Sequence, residues 1–346
     1  MLTSRIVVKR NPVLARLGLP EFRPFPPFIG GRAQTIAASF WPQLPDIRPT
    51  RTEIIDLPDG DQLVCLENRP AGWQPRDRIL VLVHGLAGSD QSKYMIRMTR
   101  KLVSHGYLTV RVNLRGCGKG VGRARKPYHS GRSEDIRAVL SRYRDLYPNA
   151  PVTLSGFSLG ANIVLKLAGE DGANPTGNLD SVTAVSPPAH LAASAKKLCH
   201  PNTRVFSNFF MEKVIEHVEQ VKKAYPDVPE FKPWKGMTVS DFDDSYTAPH
   251  SGFLNAADYY AKAAALPVIA SIQIPTLILT SADDPVVDTD SVRELPPIPG
   301  VDVIVTNHGG HVAFIGQPLS KAGVRWMDTV ILRWIDRMAT CGCPEP

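Results

Sequence analysis

The sequence contains little cysteine and no long apolar run. Five cysteines among 346 residues are too few and too scattered for a disulfide framework. No stretch approaches the ~20 consecutive apolar residues of a membrane-spanning helix, and the basic residues of the first ten positions precede no apolar signal segment. These absences predict a cytoplasmic protein without a membrane span.

Motifs for metals and cofactors are also missing. Cys341-Gly-Cys343 has no further Cys/His pair beside it, so it does not indicate a metal site. The glycine-rich run Gly116–Gly122 has Gly120 after Lys119, where a phosphate-binding loop needs Ser or Thr. The residues after this run open no apolar-periodic helix, as a dinucleotide site would require. We therefore expect neither a metal nor a cofactor.

Negative charge is scarce in residues 97–145, where 13 Lys or Arg residues meet three acidic residues. The whole chain has a net charge of +7. A basic face suits anionic lipid headgroups or acidic substrates, although an ordinary solvated surface is the simpler interpretation. Nucleic-acid binding would need a recognition module or interleaved aromatic residues, and neither is present. We expect no nucleic-acid partner, and peripheral lipid contact stays open, as does the oligomeric state.

The order of the segments predicts one α/β core with two additions. Prolines in residues 1–50 argue against regular helix or central strand, and aromatic residues there argue against disorder, which indicates an arm laid over the protein. A hairpin around Pro58-Asp-Gly60 follows. Strands are then predicted at 79–83, 108–114, 151–155, 181–185, 276–280 and 301–306, and helices at 93–104, 133–147, 159–169 and 319–338. This alternation predicts a mostly parallel central sheet flanked by helices, from residues 51–186 and 266–346, with a helical cap insertion at 187–265.

A nucleophile is predicted in the run Gly156-Phe-Ser158-Leu-Gly160. The pattern alone is weak, but here it follows a predicted strand and opens a predicted helix, the context that a nucleophilic serine on a strained turn requires. Gly156 and Gly160 are expected to leave room where chain segments approach closely. A serine hydroxyl also needs an oriented base, and in this fold the chain order is Ser, then Asp or Glu, then His.

The acid and the base are expected in two later loops. Asp283 and Asp284 follow a predicted strand; Asp284 is favoured because it leads into the apolar pair Val286-Val287, and Asp283 is then expected to cap the turn. His311 follows the last strand and two glycines, and is favoured over His308.

The oxyanion hole is expected from two backbone N–H groups. Leu159 follows the nucleophile at the start of a helix, and Leu86 lies in the loop after the first long strand. His84 precedes the nucleophile in the chain and is expected to brace that loop.

These residues belong to a larger set of motifs. They are Phe25-Pro-Pro-Phe-Ile, Gln34-Thr35, Leu57-Pro-Asp-Gly-Asp61, His84-Gly-Leu-Ala-Gly88, Asn113-Leu-Arg-Gly-Cys117, Tyr128-His-Ser-Gly131, Gly156-Phe-Ser-Leu-Gly-Ala-Asn162, Phe242-Asp-Asp244, Thr247-Ala-Pro249 and Gly309-Gly-His-Val312. In nearly its whole length the chain resembles the YheT-like branch of the α/β-hydrolases. The resemblance implies that Ser158, Asp284 and His311 form the charge relay.

The resemblance also implies a cofactor-free enzyme with a small-molecule ester as substrate. The expected activity is hydrolysis of short- to medium-chain carboxylic esters through an acyl-enzyme on Ser158. Two alternatives stay open: an alcohol O-acyltransferase with the same triad, and a catalytically silent binding protein on a hydrolase scaffold. Phe206, Phe209, Phe210 and Trp234 of the cap insertion suit an apolar acyl group, or simply pack the cap.

Overall fold

The computed structural model describes residues 11–341, with side chains described as far as residue 339. The first ten residues and Cys343, on which the signal-segment and metal predictions fall, lie outside this range. Within it, no helix has both the length and the apolar content needed to cross a bilayer.

Eight strands form one sheet in the order β1-β2-β4-β3-β5-β6-β7-β8. They are β1 (Arg51–Asp56), β2 (Gln62–Asn68), β3 (Ile79–Val83), β4 (Leu108–Asn113), β5 (Val152–Phe157), β6 (Leu179–Val185), β7 (Thr276–Ser281) and β8 (Val301–Thr306). β2 is antiparallel to β1 and β4, and all other neighbours are parallel. The predicted mostly parallel sheet and its hairpin are confirmed.

The helices and short helical turns lie between these strands or flank the sheet. They are α1 (Pro12–Arg16), α2 (Gly31–Phe40), α3 (Lys93–Ser104), α4 (Ser133–Leu146), α5 (Leu159–Asp171), α6 (Leu191–Leu198), α7 (Arg204–Ala224), α8 (Val239–Phe242), α9 (Ala248–His250), α10 (Ala256–Ala263), α11 (Asp290–Arg293) and α12 (Trp326–Cys341), with 3-10 turns at Gly118–Gly120, Pro201–Thr203 and Leu266–Ser271 and a π-helical turn at Asp243–Thr247.

Helices cover both faces of the sheet. The buried sides of α4 and α5 pack on one face. The buried sides of α1, α3 and α12 pack on the other. β3, at the centre, is fully buried along Ile79–Val83, because apolar layers lie above and below it.

Two sequence predictions about helices are wrong in part. The arm contains the ten-residue helix α2, because its prolines lie outside Gly31–Phe40. The last helix begins at Trp326 rather than at residue 319. Leu319 is fully exposed, at 101%, in a turn region whose Ile315 bridges Arg325 in antiparallel fashion, so the apolar residues before Trp326 do not continue the helical face.

Helices α6 to α10 lie between β6 and β7 in the chain. We call residues 187–265 the cap segment, and residues 11–50 the arm, as proposed boundaries. Asn162 of α5 ties the end of the cap segment to the core: its side-chain amide donates to Ala263 O at 2.8 Å and accepts from the Ala265 N–H at 2.9 Å.

Candidate active site

The predicted nucleophile Ser158 lies in a tight turn between β5 and α5. Its backbone has φ 53° and ψ −121°, a conformation rarely adopted by a non-glycine residue. A Cβ atom at Gly156 would lie 2.3 Å from Gly160 O, and a Cβ atom at Gly160 would lie 2.4 Å from Val83 O. The expected steric reason for both glycines is confirmed.

Side chains from three separate loops meet at this turn. His311 Nε2 lies 2.8 Å from Ser158 Oγ, and His311 Nδ1 lies 2.9 Å from Asp284 Oδ2. Asp284 is buried, and its Oδ1 accepts hydrogen bonds from the N–H groups of Val286 and Val287 at 2.8 and 3.1 Å. A hydroxyl, an imidazole and a carboxylate in this sequence of contacts can activate a serine as a nucleophile.

The neighbouring residues Asp283 and His308 pair with each other instead. Asp283 Oδ2 lies 3.0 Å from His308 Nδ1, and Asp283 Oδ1 accepts a hydrogen bond from the Gly310 N–H at 3.0 Å. The sequence favoured Asp284 and His311 over these neighbours. The structure brings Asp284 and His311 to Ser158, and uses Asp283 to hold the loop before His311.

Leu86 and Leu159, the predicted oxyanion donors, line the same pocket as Ser158. Leu159 is the first residue of α5, and no described residue accepts a hydrogen bond from its N–H or from the Leu86 N–H. The Leu86 loop packs against the nucleophile, since a Cβ atom at Gly85 would lie 2.9 Å from Ser158 Cβ. Two unpaired N–H groups beside the serine are available to a developing oxyanion.

Two tyrosines to which the sequence assigned no role hold the Leu86 loop. The N–H of Gly85 donates to Tyr94 Oη at 2.8 Å, and the N–H of Ala87 donates to Tyr128 Oη at 3.0 Å. Ala87 has a positive φ of 58°, so these bonds also fix a strained residue. Because the residue between them is Leu86, both bonds orient its free N–H.

His84 braces the base of the same loop, as expected. Its Nδ1 donates to Gly85 O at 2.8 Å, and its Nε2 accepts from the Leu114 N–H at 3.1 Å. Burial lowers the pKa of His84 to about 4, so the imidazole stays neutral and both bonds persist at neutral pH.

The arm contacts the loop that carries His311. Thr35 Oγ1 accepts a hydrogen bond from the His311 N–H at 2.9 Å and donates to Gly31 O at 2.7 Å. A Cβ atom at Gly310 would lie 2.4 Å from Gly31 O, so helix α2 and this loop touch without spare room. The base candidate is therefore held by a residue far from it in the sequence.

Gln34 fixes the far side of the loop. Its Oε1 accepts from the Ile315 N–H at 2.7 Å, and its Nε2 donates to Ile315 O at 3.1 Å. Gln34 and Thr35 stood among the motifs of the family resemblance, but nothing in the sequence assigned them a role. The available indication was that two adjacent polar residues lie in a segment to which no function had been assigned.

A pocket of about 950 Å³, its solvent-open part included, adjoins Ser158. Its walls are mostly apolar side chains of the cap segment and of the loop after Asp284, among them Leu191, Leu198, Phe210, Met211, Val214, Val239, Phe242, Tyr246, Val286 and Val287. Phe210 therefore lines the pocket as the sequence suggested, and Phe206 packs nearby against the valine pair. The suggestion is wrong for Phe209 and Trp234, which are 53% and 51% exposed.

His217 of α7 presents a ring nitrogen without a partner. His217 lines the pocket, and its buried Nε2 has no hydrogen-bond partner among the described residues. The ring lies edge-on to Tyr128, with centroids 5.1 Å apart, and closes over Gly116. Burial lowers the pKa of His217 to about 4, so the ring is neutral at neutral pH. Such a nitrogen can bind a polar group of a ligand.

Asp243, in the π-helical turn, adds a carboxylate to the pocket lining. Its two oxygens accept hydrogen bonds from Thr247 Oγ1 and Tyr260 Oη, both at 2.8 Å. Burial raises the pKa of Asp243 to about 6. Among the described residues, no group of three or more His, Cys, Asp or Glu side chains is arranged to hold a metal ion.

Comparisons with known proteins agree with this architecture. A family model described as alpha/beta hydrolase fold matches residues 78–318. YheT of Escherichia coli (strain K12) is 32% identical over 291 residues, covering 81% of this chain and 83% of that protein. Medium-chain fatty acid ethyl ester synthase/esterase 2 of Saccharomyces cerevisiae is 28% identical over 293 residues, covering 72% of this chain and 64% of that protein.

A solved structure, the esterase Pf2001 of Pyrococcus furiosus, matches with a TM-score of 0.54 and 17% identity over 85% of this chain and 98% of that chain. At this identity the likeness concerns the fold alone. The family model is more specific, because its match extends from the strand before Leu86 to the loop of His311. The chain belongs to the YheT-like branch of the α/β-hydrolase family.

Proposed function

We propose that this chain is a serine carboxylic-ester hydrolase that forms an acyl-enzyme on Ser158. The observation that carries the proposal is the pair of contacts of His311, at 2.8 Å to Ser158 Oγ and 2.9 Å to Asp284 Oδ2. The unpaired N–H groups of Leu86 and Leu159 beside the serine support it.

The reaction has two halves. His311 takes the proton of Ser158 as Oγ attacks the ester carbonyl carbon, and the N–H groups of Leu86 and Leu159 stabilise the oxyanion, each by about 3 kcal/mol. The protonated His311 then gives its proton to the leaving alkoxide, and the alcohol departs from the acyl-enzyme. Water then attacks the acyl-enzyme, with His311 again as base. The protonated His311 returns this proton to Ser158 Oγ as the acid departs. Asp284 holds the imidazole in the required tautomer and stabilises its charged form.

A fluorophosphonate probe tests the nucleophile. We expect the wild-type protein to be labelled and Ser158→Ala to be unlabelled, with turnover reduced by roughly 10⁴-fold or more. Asp284→Asn should reduce turnover by roughly 10⁴-fold, whereas Asp283→Asn serves as the matched neighbour with a much smaller loss. A wild-type protein that resists the probe would instead favour a binding protein on a hydrolase scaffold.

The proposed substrates are esters of short- to medium-chain acids. The apolar walls of the pocket suit an acyl chain, and the yeast relative is named for medium-chain fatty acid ethyl esters. A series of p-nitrophenyl esters of increasing chain length should show a maximum of kcat/KM among the short and medium chains. A maximum at long chains would refute this assignment.

Alcohol O-acyl transfer is the second candidate, because an acyl-enzyme on Ser158 can be resolved by an alcohol as well as by water. The yeast relative carries both activities in its name. Incubation with an ester and ethanol, followed by measurement of ethyl ester against free acid, separates the two reactions. The cytoplasmic location and the limits of the arm and the cap segment stay predictions.

A further inference from the structure

The positive charge of the basic stretch, residues 97–145, is largely compensated by salt bridges. Salt bridges join Arg111 to Asp46, Arg115 to Asp59, Asp61 and Asp135, Arg125 to Asp227, Arg132 to Glu134, Arg137 to Glu170 and Asp171, Arg142 to Glu53, and Arg144 to Asp145. The stretch is therefore not a uniform basic face. Its excess charge lies where such partners are missing.

Two cations of the stretch that lack a salt bridge to any described residue, Arg100 and Lys101, line a groove between the arm, α3 and the start of α12. The other two, Lys119 and Arg123, lie together elsewhere on the surface. The basic groove, as we call it, is lined by Trp41, Pro42, Gln43, Leu44, Lys93, Arg97, Arg100, Lys101, Ser104, Arg325 and Asp328. Asp328 is the one acidic residue of this lining, and it is bound by Arg97, with Nη2 and Oδ1 3.0 Å apart. In the described part of the chain, no salt bridge involves Arg100, Lys101 or Arg325.

The cations of the basic groove act on one another. Arg325 lies over the ring of Trp41, with its guanidinium carbon 4.8 Å from the ring centroid. Burial and the nearby charge of Arg97 lower the pKa of Arg325 to about 10. Burial also lowers the pKa of Lys101. Positive charge gathered in this way, against a single carboxylate, favours an anionic partner.

Exposed apolar side chains border the same groove. Phe40 is 83% exposed and Ile36, one turn before it on α2, is 41% exposed. Leu44, in the groove lining, is 47% exposed. Lys93 ties the two regions together, since its Nζ donates to Trp41 O at 2.8 Å. An apolar edge beside a cluster of cations is the combination by which a protein surface enters the headgroup region of an anionic bilayer.

We propose that the basic groove and its apolar edge form a docking surface for an anionic phospholipid membrane. Phe40, Leu44 and Ile36 enter the boundary between headgroups and acyl chains, while Arg100, Lys101 and Arg325 contact lipid phosphates. The proposal is independent of the chemistry at Ser158. It places the membrane against the same helix, α2, whose other side holds the His311 loop.

The cap segment offers the nearest competing surface. Val205 and Phe209 are also exposed there, at 71% and 53%. However, only some cations of that segment are paired, as in Lys213 with Glu216 and Lys232 with Glu230. The basic groove differs in that its lining gathers five Lys or Arg residues around one carboxylate. Charge complementarity to an anionic bilayer therefore selects the basic groove, and the cap segment supplies matched controls.

Co-sedimentation with sucrose-loaded vesicles tests the proposal. Phosphatidylcholine vesicles are compared with vesicles that contain about 30 mol% phosphatidylglycerol, at low and high salt. We expect at least about tenfold tighter binding to the anionic vesicles and a marked loss at high salt. Arg100→Gln/Lys101→Gln and Phe40→Ser/Leu44→Ser should each weaken that binding about tenfold.

The controls are Lys232→Gln/Lys235→Gln and Val205→Ser/Phe209→Ser, which remove the same kinds of side chain from the cap segment. They should bind anionic vesicles as the wild type does. Thermal unfolding and turnover of a water-soluble ester show that each variant is folded. Equal binding to both vesicle types, no binding, or loss caused by the cap variants alone would overturn the proposal. So would competition by heparin combined with indifference to Phe40→Ser/Leu44→Ser, because it would indicate a general polyanion surface.

Discussion

The arm and the cap segment both adjoin the candidate active site, but they contact it in different ways. The arm donates no pocket wall; it binds the loop of His311 through Thr35 and Gln34. The cap segment supplies most of the pocket wall and touches the acid loop beyond Asp284, where Ser194 Oγ accepts from the Asp288 N–H at 3.0 Å. This difference suggests a division of labour, in which the arm positions the base and the cap segment selects the substrate.

The largest effect is expected where helix α2 of the arm contacts Asp283 and the His311 loop. In Gly31→Ala a Cβ atom would lie 1.8 Å from Asp283 O, so helix α2, which carries Thr35, has to move away from the turn at Asp283. We expect kcat to fall by about 100-fold for every ester, because a displacement of about 1 Å at a catalytic group costs that much. Gly30→Ala is the matched control, since nothing lies within 4 Å of its Cβ position. Wild-type turnover in Gly31→Ala would show that the arm does not position the base.

A milder change removes one hydrogen bond. Thr35→Val leaves the His311 N–H without its acceptor, which should lower kcat by about tenfold and leave KM unchanged. Thr35→Ser keeps the hydroxyl and should restore kcat. Steady-state kinetics on two esters of different chain length provide the test, and the loss should be the same for both. A loss that depends on the chain length would place Thr35 with the specificity residues.

On the side of the cap segment, we expect an effect that depends on the substrate. His217→Leu removes a buried nitrogen that has no partner, so the free energy of unfolding should rise by about 1 kcal/mol. In return, kcat/KM should fall about tenfold for a glycerol monoester, whose free hydroxyls can meet Nε2, and should not change for the ethyl ester of the same acid. Denaturant unfolding and parallel assays of both esters check this. An equal loss for both esters would contradict the division of labour.

The smallest expected effect concerns pH. Burial raises the pKa of Asp243 to about 6, above the ordinary range of an aspartate. Between that range and about pH 6, the folded protein therefore keeps a proton that the unfolded chain has released. The contribution of Asp243 to stability is therefore present at low pH and is lost as the pH rises through about 6. Between about pH 5 and pH 7.5, the Tm of the wild type should fall by on the order of 1–2 °C relative to the Tm of Asp243→Asn, which lacks this titrating group. Identical pH profiles of Tm would show that Asp243 titrates normally.

Local sequence patterns were sufficient to predict most strands and helices of the core. Strand β8 was predicted with its observed limits, and Ser158 with its strand, turn and helix, because each of these signals lies within a few residues. Asp283 and Asp284 are adjacent and chemically alike, so only their partners, His308 and His311, separate them. The contact of Thr35 with His311 joins residues 276 positions apart, and no periodicity or turn signal reaches that far. His217 looked like any helical histidine until its surroundings were known.

The contacts of the arm with the end of the chain also have a consequence for folding during synthesis. Phe22 packs against Phe314 and Trp326, at centroid distances of 5.8 and 5.3 Å. Thr35 likewise forms its hydrogen bond with His311, near the end of the chain. At roughly 5–20 residues per second of synthesis, the arm leaves the ribosome roughly 15–55 s before its binding partners exist. During that time its aromatic residues lack these contacts and are accessible to chaperones. The contact between Thr35 and His311 can form only after nearly the whole chain has been made, so the candidate active site is among the last parts of the protein to be completed.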